Sequence, residues 1–478
     1  MKQHGISGMN RRQFLALAGA TAAGAALARE AQADTLPAPP QALAGRTPRP
    51  AKIALVFSHV PRGRATWPTK DYDYDARREE LTAQLRAACP GTEFTVSTAH
   101  NADEAEKIVQ ENGEADGFLV YLIGIWTGAP NRIMRAGKPT VVVDDLYAGS
   151  GEILGIARAI KEESLRAAMI SSSDFRDVAR GVKWLEVLAA LKGARIIDVK
   201  DGDLSGATSN LSNILGATLI QMKSDELAQR YAAADDNLAA RWADYWMQNA
   251  YHVIEPAREE LLKSGKIHVA FLNAFQEYEA DTLTMDCLGM FYSQKINAYP
   301  CLSFFEMLNQ GLTGICEADV DSTMTALLMR HLTGRPGFVS DPVIDTSTNE
   351  IIYAHCVASC RNFGPQGKVN KYILRSHAED RQGASVQSLM PEGEPVTTLR
   401  LALGDKHLMV HTGVTTRNIQ EDKACRTKIA ARAEAEKLLR NWTHGWHRVT
   451  FYGDWRKDVV NVGRLLGLTV IEEDRYLG

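Results

Sequence analysis

Behind a short apolar run, residues 312–316, the chain places three acids in quick succession: Glu317, Asp319 and Asp321. A second run, 338–341, ends in Asp341, and a third, 351–355, ends in His355. Carboxylates with an imidazole are the ligands of hard divalent ions, and α/β enzymes collect such ligands where strands end at one edge of a sheet. The same carboxylates can carry protons. Asp319 or Asp321 also suits the N-cap of the helix that follows, an oxygen accepting from a free N–H of its first turn. Capping leaves Glu317 and Asp341 unexplained, so the pattern points to a metal site built on those two. His447 enters a later apolar stretch, His447-Arg-Val-Thr-Phe-Tyr452, among nearby Trp and Gly residues. Taken alone, a histidine in that setting is more often a core residue than a ligand.

These residues need elements to hold them. After the acids comes a helical pattern, with Met324, Leu327, Leu328 and Leu332 on one face and Gly334 and Pro336 as its stop. Upstream, residues 51–171 read as a first α/β unit. It opens with a continuous apolar run at 52–57, suited to a strand buried on both faces. A helix at 76–88, a strand at 93–98, a helix at 102–112 and strands at 117–123 and 138–144 follow. A second unit, 172–343, reads as a helix at 174–192, strands at 194–199 and 217–222, and one long helix at 224–251 with Ser224 as its N-cap. A further buried strand is expected at 267–272, ahead of the acidic segment. Trp242, Tyr245 and Trp246 read as core or interface. From 344 to 478 the strands shorten and alternate (396–403, 407–412, 425–431), marking an antiparallel β domain that closes with a helix at 458–466 and a strand at 468–471. Strands alternating with helices, then strands alone, define an α/β fold of two parallel-sheet domains and a C-terminal antiparallel β domain. No glycine-rich dinucleotide or P-loop motif is present, so a nucleotide is not indicated.

At 478 residues, 45% hydrophobic and 23% charged, the chain has room for two or three domains, each with its own core. Residues 1–33 read as an export leader: Arg11 and Arg12, a mildly apolar Ala/Gly/Leu run, then Ala31 and Ala33 at the positions a signal peptidase reads. Paired arginines ahead of a mild apolar core are the pattern of a twin-arginine signal, which sends a folded protein to the periplasm or outside. Residues 34–50, rich in Pro and Ala, read as an extended linker. Losing Lys2, Arg11, Arg12, Arg29 and Glu30 with the leader turns a net charge of −4 into −7. That balance argues against nucleic acid or an anionic membrane as partner, whereas a neutral sugar makes no demand on it. No further stretch is long and apolar enough to span a bilayer. The seven cysteines are scattered and odd in number, unlike a disulfide framework. His355-Cys356 with Cys360 lacks the second Cys pair of a zinc site.

Taken together, Gly314-Ile-Cys-Glu317-Ala-Asp319, Met324, Leu332-Thr-Gly334, Phe338-Val-Ser-Asp341, His355, His447-Arg-Val-Thr-Phe-Tyr-Gly453 and Leu465-Leu466 resemble L-fucose isomerase and its relatives, the L-arabinose isomerases, across roughly residues 172–471. The resemblance implies two Rossmann-like domains and a C-terminal β domain. It implies Mn²⁺, or another divalent ion such as Mg²⁺, on Glu317, Asp341 and His447, with Glu317 and Asp341 as the catalytic proton carriers. His355 matches a substrate-binding histidine that some members use as a ligand. The implied assembly is a homo-trimer or homo-hexamer, in which a neighbour's first domain closes each site; the aromatic and basic loop 62–75 is the candidate segment. The implied reaction is aldose–ketose isomerisation of a sugar through an enediolate. An export signal, a shorter chain and a divergent 62–75 loop set this sequence apart from the catabolic members. Two other readings stand beside it: a metal-dependent sugar lyase or epimerase on the same scaffold, and a non-catalytic exported sugar-binding protein.

Overall fold

A strand buried on both faces needs helices on both, and β1 (Ala51–Ser58) is buried along almost its whole length. In the computed structural model, which describes residues 36–63 and 67–475, β1 pairs in parallel with β2 (Thr92–Ala99) and β3 (Gly117–Leu122). With β4 (Thr140–Asp144) and β5 (Ala167–Ser171) they form a five-stranded parallel sheet in the order β2-β1-β3-β4-β5. Helices Tyr74–Ala88 and Phe175–Leu191 cover one face through Leu81, Leu85, Val182 and Leu185. Helices Ala102–Glu111, Ala129–Met134 and Ser150–Glu162 cover the other through Ile108, Ile133 and Ile156. The leader expected at 1–33 lies outside the described residues. Residues 39–50 run without helix or strand along the body: Leu43 N–H donates to Gln310 Oε1 (2.7 Å) and Arg46 N–H to the Asp281 carboxylate (2.8 Å).

The second parallel sheet has the order β7-β6-β9-β10, from β6 (Arg195–Val199), β7 (Thr218–Met222), β9 (Thr282–Met285) and β10 (Thr313–Cys316). β8 (His252–Val253) joins β13 (Tyr372–Arg375) and β14 (Ser385–Ser388) in a small separate sheet. Three sequence expectations fail in this unit. Residues 267–272 are not a strand; they lie inside the helix Arg258–Tyr278, buried from Ile267 through Leu272. A continuous apolar run reads alike for a buried strand and a buried helix, and here it continues as a helix of 21 residues. The strand itself is β9, four residues beginning at Thr282. The single helix expected at 224–251 is two, Ser224–Ala232 and Asp236–Asn249. Asp235 starts the second by accepting from the N–H groups of Asn237 and Leu238. Ser224 is not the cap of the first; its hydroxyl donates to Asp201 while Lys223 holds the N-cap position.

The C-terminal strands are antiparallel and close on themselves. They run β15 (Pro395–Ala402), β18 (Arg448–Tyr452), β11 (Phe338–Asp345), β12 (Glu350–His355), β17 (Thr427–Arg432) and β16 (His407–Asn418), and β16 pairs back to β15. Closure leaves no free edge in this barrel, onto which β19 (Thr469–Glu472) adds in parallel beside β16. The fold is therefore parallel-sheet α/β domains followed by an antiparallel β-barrel. Helix Val320–Thr333 joins them: Met324, Leu327 and Leu328 share one buried cluster with Ile315 of β10, Leu399 and Leu401 of β15 and Val449 of β18. No helix among the described residues is long and apolar enough to cross a membrane.

Candidate metal centre

β10 ends at Cys316, and the chain turns abruptly through two consecutive left-handed residues, Glu317 (φ 67°) and Ala318 (φ 51°). The Ala318 N–H fixes this turn by donating to the Met285 carbonyl of β9 (2.9 Å). Asp319 then caps the next helix, accepting from Ser322 N–H (3.0 Å). So a parallel-sheet strand delivers one carboxylate, Glu317, on a braced turn.

The other groups come from the barrel, and register brings them together. Ser340 of β11 lies opposite Arg448 of β18, and Asp341 lies opposite Ala354 of β12. His447, one residue before Arg448, and His355, one after Ala354, are therefore set beside Asp341, which lies midway along β11 rather than at the strand end expected from the apolar run 338–341. His447 Nε2 lies 3.1 Å from Asp341 Oδ1 and 3.5 Å from Glu317 Oε2; His355 Nε2 lies 3.4 Å from Glu317 Oε1. One ligand atom from each of Glu317, Asp341, His355 and His447 falls within 4.8 Å of all the others. An ion bound at about 2.0–2.6 Å from each ligand needs that spacing.

The donors fit a divalent ion in a second respect. Both ring nitrogens of His355 and Nε2 of His447 are buried and make no hydrogen bond, whereas buried polar atoms nearly always have a partner. Two carboxylates, which are hard ligands, and two imidazoles, which are borderline, form a mixed O/N set suited to a divalent ion. Both rings are buried, while the side chains of Glu317 and Asp341 remain 30% and 45% exposed. The centre thus opens to solvent on its carboxylate side.

His447 is oriented from behind. Its Nδ1 and an Asp319 carboxylate oxygen are 2.8 Å apart, and Asp319 is held in turn by Arg400 (2.7 Å). A carboxylate on the far nitrogen fixes the ring and aims Nε2 at the cluster. Burial works against a charged imidazole, but Asp319, Asp341 and Glu317 outweigh it and bring His447 up to about 9. His355 is also raised, Glu317 overcoming the opposing effect of burial. Burial would push Asp319 upward, yet His447 and Arg400 pull it well below the usual carboxylate range. Asp341 is lowered against burial by the same pair of histidines.

Glu317 and Asp341, which the pattern paired, and His447, which the resemblance added, therefore meet, with His355 as a fourth member. One expectation needs correction: the groups do not line one sheet edge. Glu317 comes from a parallel sheet and the other three from the barrel, because β11 pairs with β12 and β18 rather than extending the α/β unit. Asp321 stays outside, its Oδ1 accepting from Leu403 N–H (3.3 Å). Among the described residues this is the one group of three or more such side chains within ligand range, and neither Cys356 nor Cys360 belongs to it. Sequence reasoning placed Asp319 only as a cap. Its second role depends on a partner 128 positions away, for which no local signal exists.

No family model matches the chain. The chain is similar to curated sugar isomerases. The proteins named sulfoquinovose isomerase of Priestia aryabhattai and Priestia megaterium are each 23% identical to it over 304 residues. The matched stretch covers 60% of this chain and 66% of each relative, just under two thirds of their length.

Proposed function

We propose that this protein is a metal-dependent aldose–ketose isomerase acting on a sugar through an enediolate. The observation that carries this reading is the convergence of Glu317, Asp341, His355 and His447 on one point open to solvent; the likeness to sugar isomerases supports it. Moving a carbonyl between C1 and C2 requires a proton taken from one carbon and returned to the next. Glu317, Asp341 and His447 would hold the ion directly, with His355 beside them as a further ligand or a substrate contact. Once bound, an Mn²⁺ or Mg²⁺ ion supplies positive charge that stabilises the negative charge developing on the sugar oxygens. Glu317 and Asp341 reach solvent and therefore substrate, and they carry the proton between carbons. The buried histidines exclude water from the opposite side, and Asp319 keeps His447 from turning away.

The deciding experiment is a sugar panel with added Mn²⁺ that includes sulfoquinovose, the sugar named for the relatives, followed by NMR in D₂O. Interconversion of an aldose and a ketose with deuterium on the product carbon is the expected result. Loss of water or release of a smaller fragment would make the protein a lyase, and inversion at one carbon an epimerase.

Assembly as a trimer or hexamer belongs to the same reading. Trp67, Trp126 and Tyr147, at 39%, 82% and 81% exposure, lie in the loops after β1, β3 and β4, at the carboxyl edge of the first sheet. Those loops are the part of the chain offered to a neighbour's open centre, and a light-scattering mass equal to one fully active chain would contradict it. Export on a twin-arginine signal is proposed as well: Arg11→Lys with Arg12→Lys should leave precursor in the cytoplasm, as fractionation would show.

A further inference from the structure

Asp319 also borders a second polar feature, a cleft of about 450 Å³ between the loops of the second parallel sheet and the barrel turn at Leu403–Asp405. Its carboxylates are Asp198, Asp203, Asp319, Asp321 and Asp405, and the cation among its lining residues is Lys200. Four of these acids have donors. Asp203 takes the N–H and hydroxyl of Ser205, Asp319 takes His447 and Arg400, Asp321 takes Leu403 N–H, and Asp405 takes His444. Asp198 has none. It lies on β6, fully buried, and neither carboxylate oxygen makes a hydrogen bond. Burying a carboxylate without a donor is strongly unfavourable unless a cation or a proton offsets it. An orphaned buried polar atom in a native protein commonly marks an ion or water.

We propose that this cleft is a second divalent-cation site, separate from the Glu317 centre, which takes a hydrated hard ion such as Mg²⁺ on Asp198. Its donors are all oxygens, the choice of a hard ion over a soft one. The described residues contain no second set of three ligand atoms within 4.8 Å of one another. The ion therefore binds one or two carboxylates directly and keeps several waters, the usual habit of Mg²⁺. Asp321 and Asp203 are the groups those waters would reach. Bound there, the ion adjoins the segment Ala318–Asp321 on one side and the barrel turn on the other.

Ion counting tests this without reference to turnover. The full chain, stripped with chelator, is dialysed against millimolar Mn²⁺, a probe that suits both sites, and bound metal is measured by mass spectrometry. Wild type should hold two ions per chain, and Asp198→Asn and Glu317→Gln should each lose a different one. Asparagine has the shape of aspartate and no charge, so stripped Asp198→Asn should melt no lower than stripped wild type. Should that variant fail to fold, Asp321→Asn should weaken the same ion tenfold or more. Equal counts in wild type and Asp198→Asn overturn the proposal and identify Asp198 as a protonated acid. An unchanged count in Glu317→Gln would instead count against the first centre alone.

Discussion

Three carboxylates, Glu317, Asp319 and Asp341, surround the His447 ring, and in the ion-free protein they hold its proton up to about pH 9 despite burial. The ordinary value is about 6.5. The stabilisation from this proton is therefore complete below about pH 6.5 and lost as pH rises through 9. Chelator-treated protein should lose up to about 3 kcal/mol of stability across that window, read as a falling Tm. Metal-loaded protein should not, since an ion replaces the proton. The same exchange makes metal affinity rise about tenfold per pH unit until pH 9, measurable by titration calorimetry. Asp319→Asn removes the carboxylate that orients His447 and should cost about 10–100-fold in metal affinity. Glu317→Gln keeps the size of the side chain but removes its charge and its basicity. It should lower kcat by several powers of ten, each about 1.4 kcal/mol, with the circular dichroism spectrum unchanged.

The turn between β10 and helix Val320–Thr333 sets where Glu317 points, and its left-handed pair is the strained element of the centre. A β-branched side chain is poorly tolerated in that conformation. Ala318→Val should cost about 1–2 kcal/mol in thermal unfolding and weaken metal binding by displacing the neighbouring carboxylate; Ala318→Gly, free of the clash, should do neither. Much of this element is legible in sequence. The apolar run, the Asp319 cap and the Gly334 stop (φ 69°) are local signals, and each one holds. The helix Arg258–Tyr278 is not legible in that way. Its middle, 267–272, is buried on every side and, His268 apart, apolar, so the 3.6-residue period that would expose a helix is lost.

An ion at this centre would join two layers of the molecule, since Glu317 belongs to the second α/β unit and Asp341, His355 and His447 to the barrel. Ligand binding to the folded state alone should raise stability by about 2.7 kcal/mol at a hundredfold excess over Kd, seen as a higher Tm with Mn²⁺. Hydrogen exchange should slow together at 317–323 and 448–452, segments from different layers; slowing in one layer alone would mean that the ion does not bridge them. The sequence by itself determined the succession of layers, because strands alternating with helices and strands that follow one another directly leave different patterns along the chain. It also singled out Glu317, Asp341 and His447, though only resemblance to a known family drew the histidine in. Tertiary structure alone decided that the barrel closes, β15 pairing with β16, and that Asp319 stands behind His447. It also put Asp198 in the core without a donor. Those outcomes depend on strand register and on contacts between distant segments. Strand pairing is made by backbone N–H and C=O groups that nearly all residue types share, so no residue type at either end announces its partner.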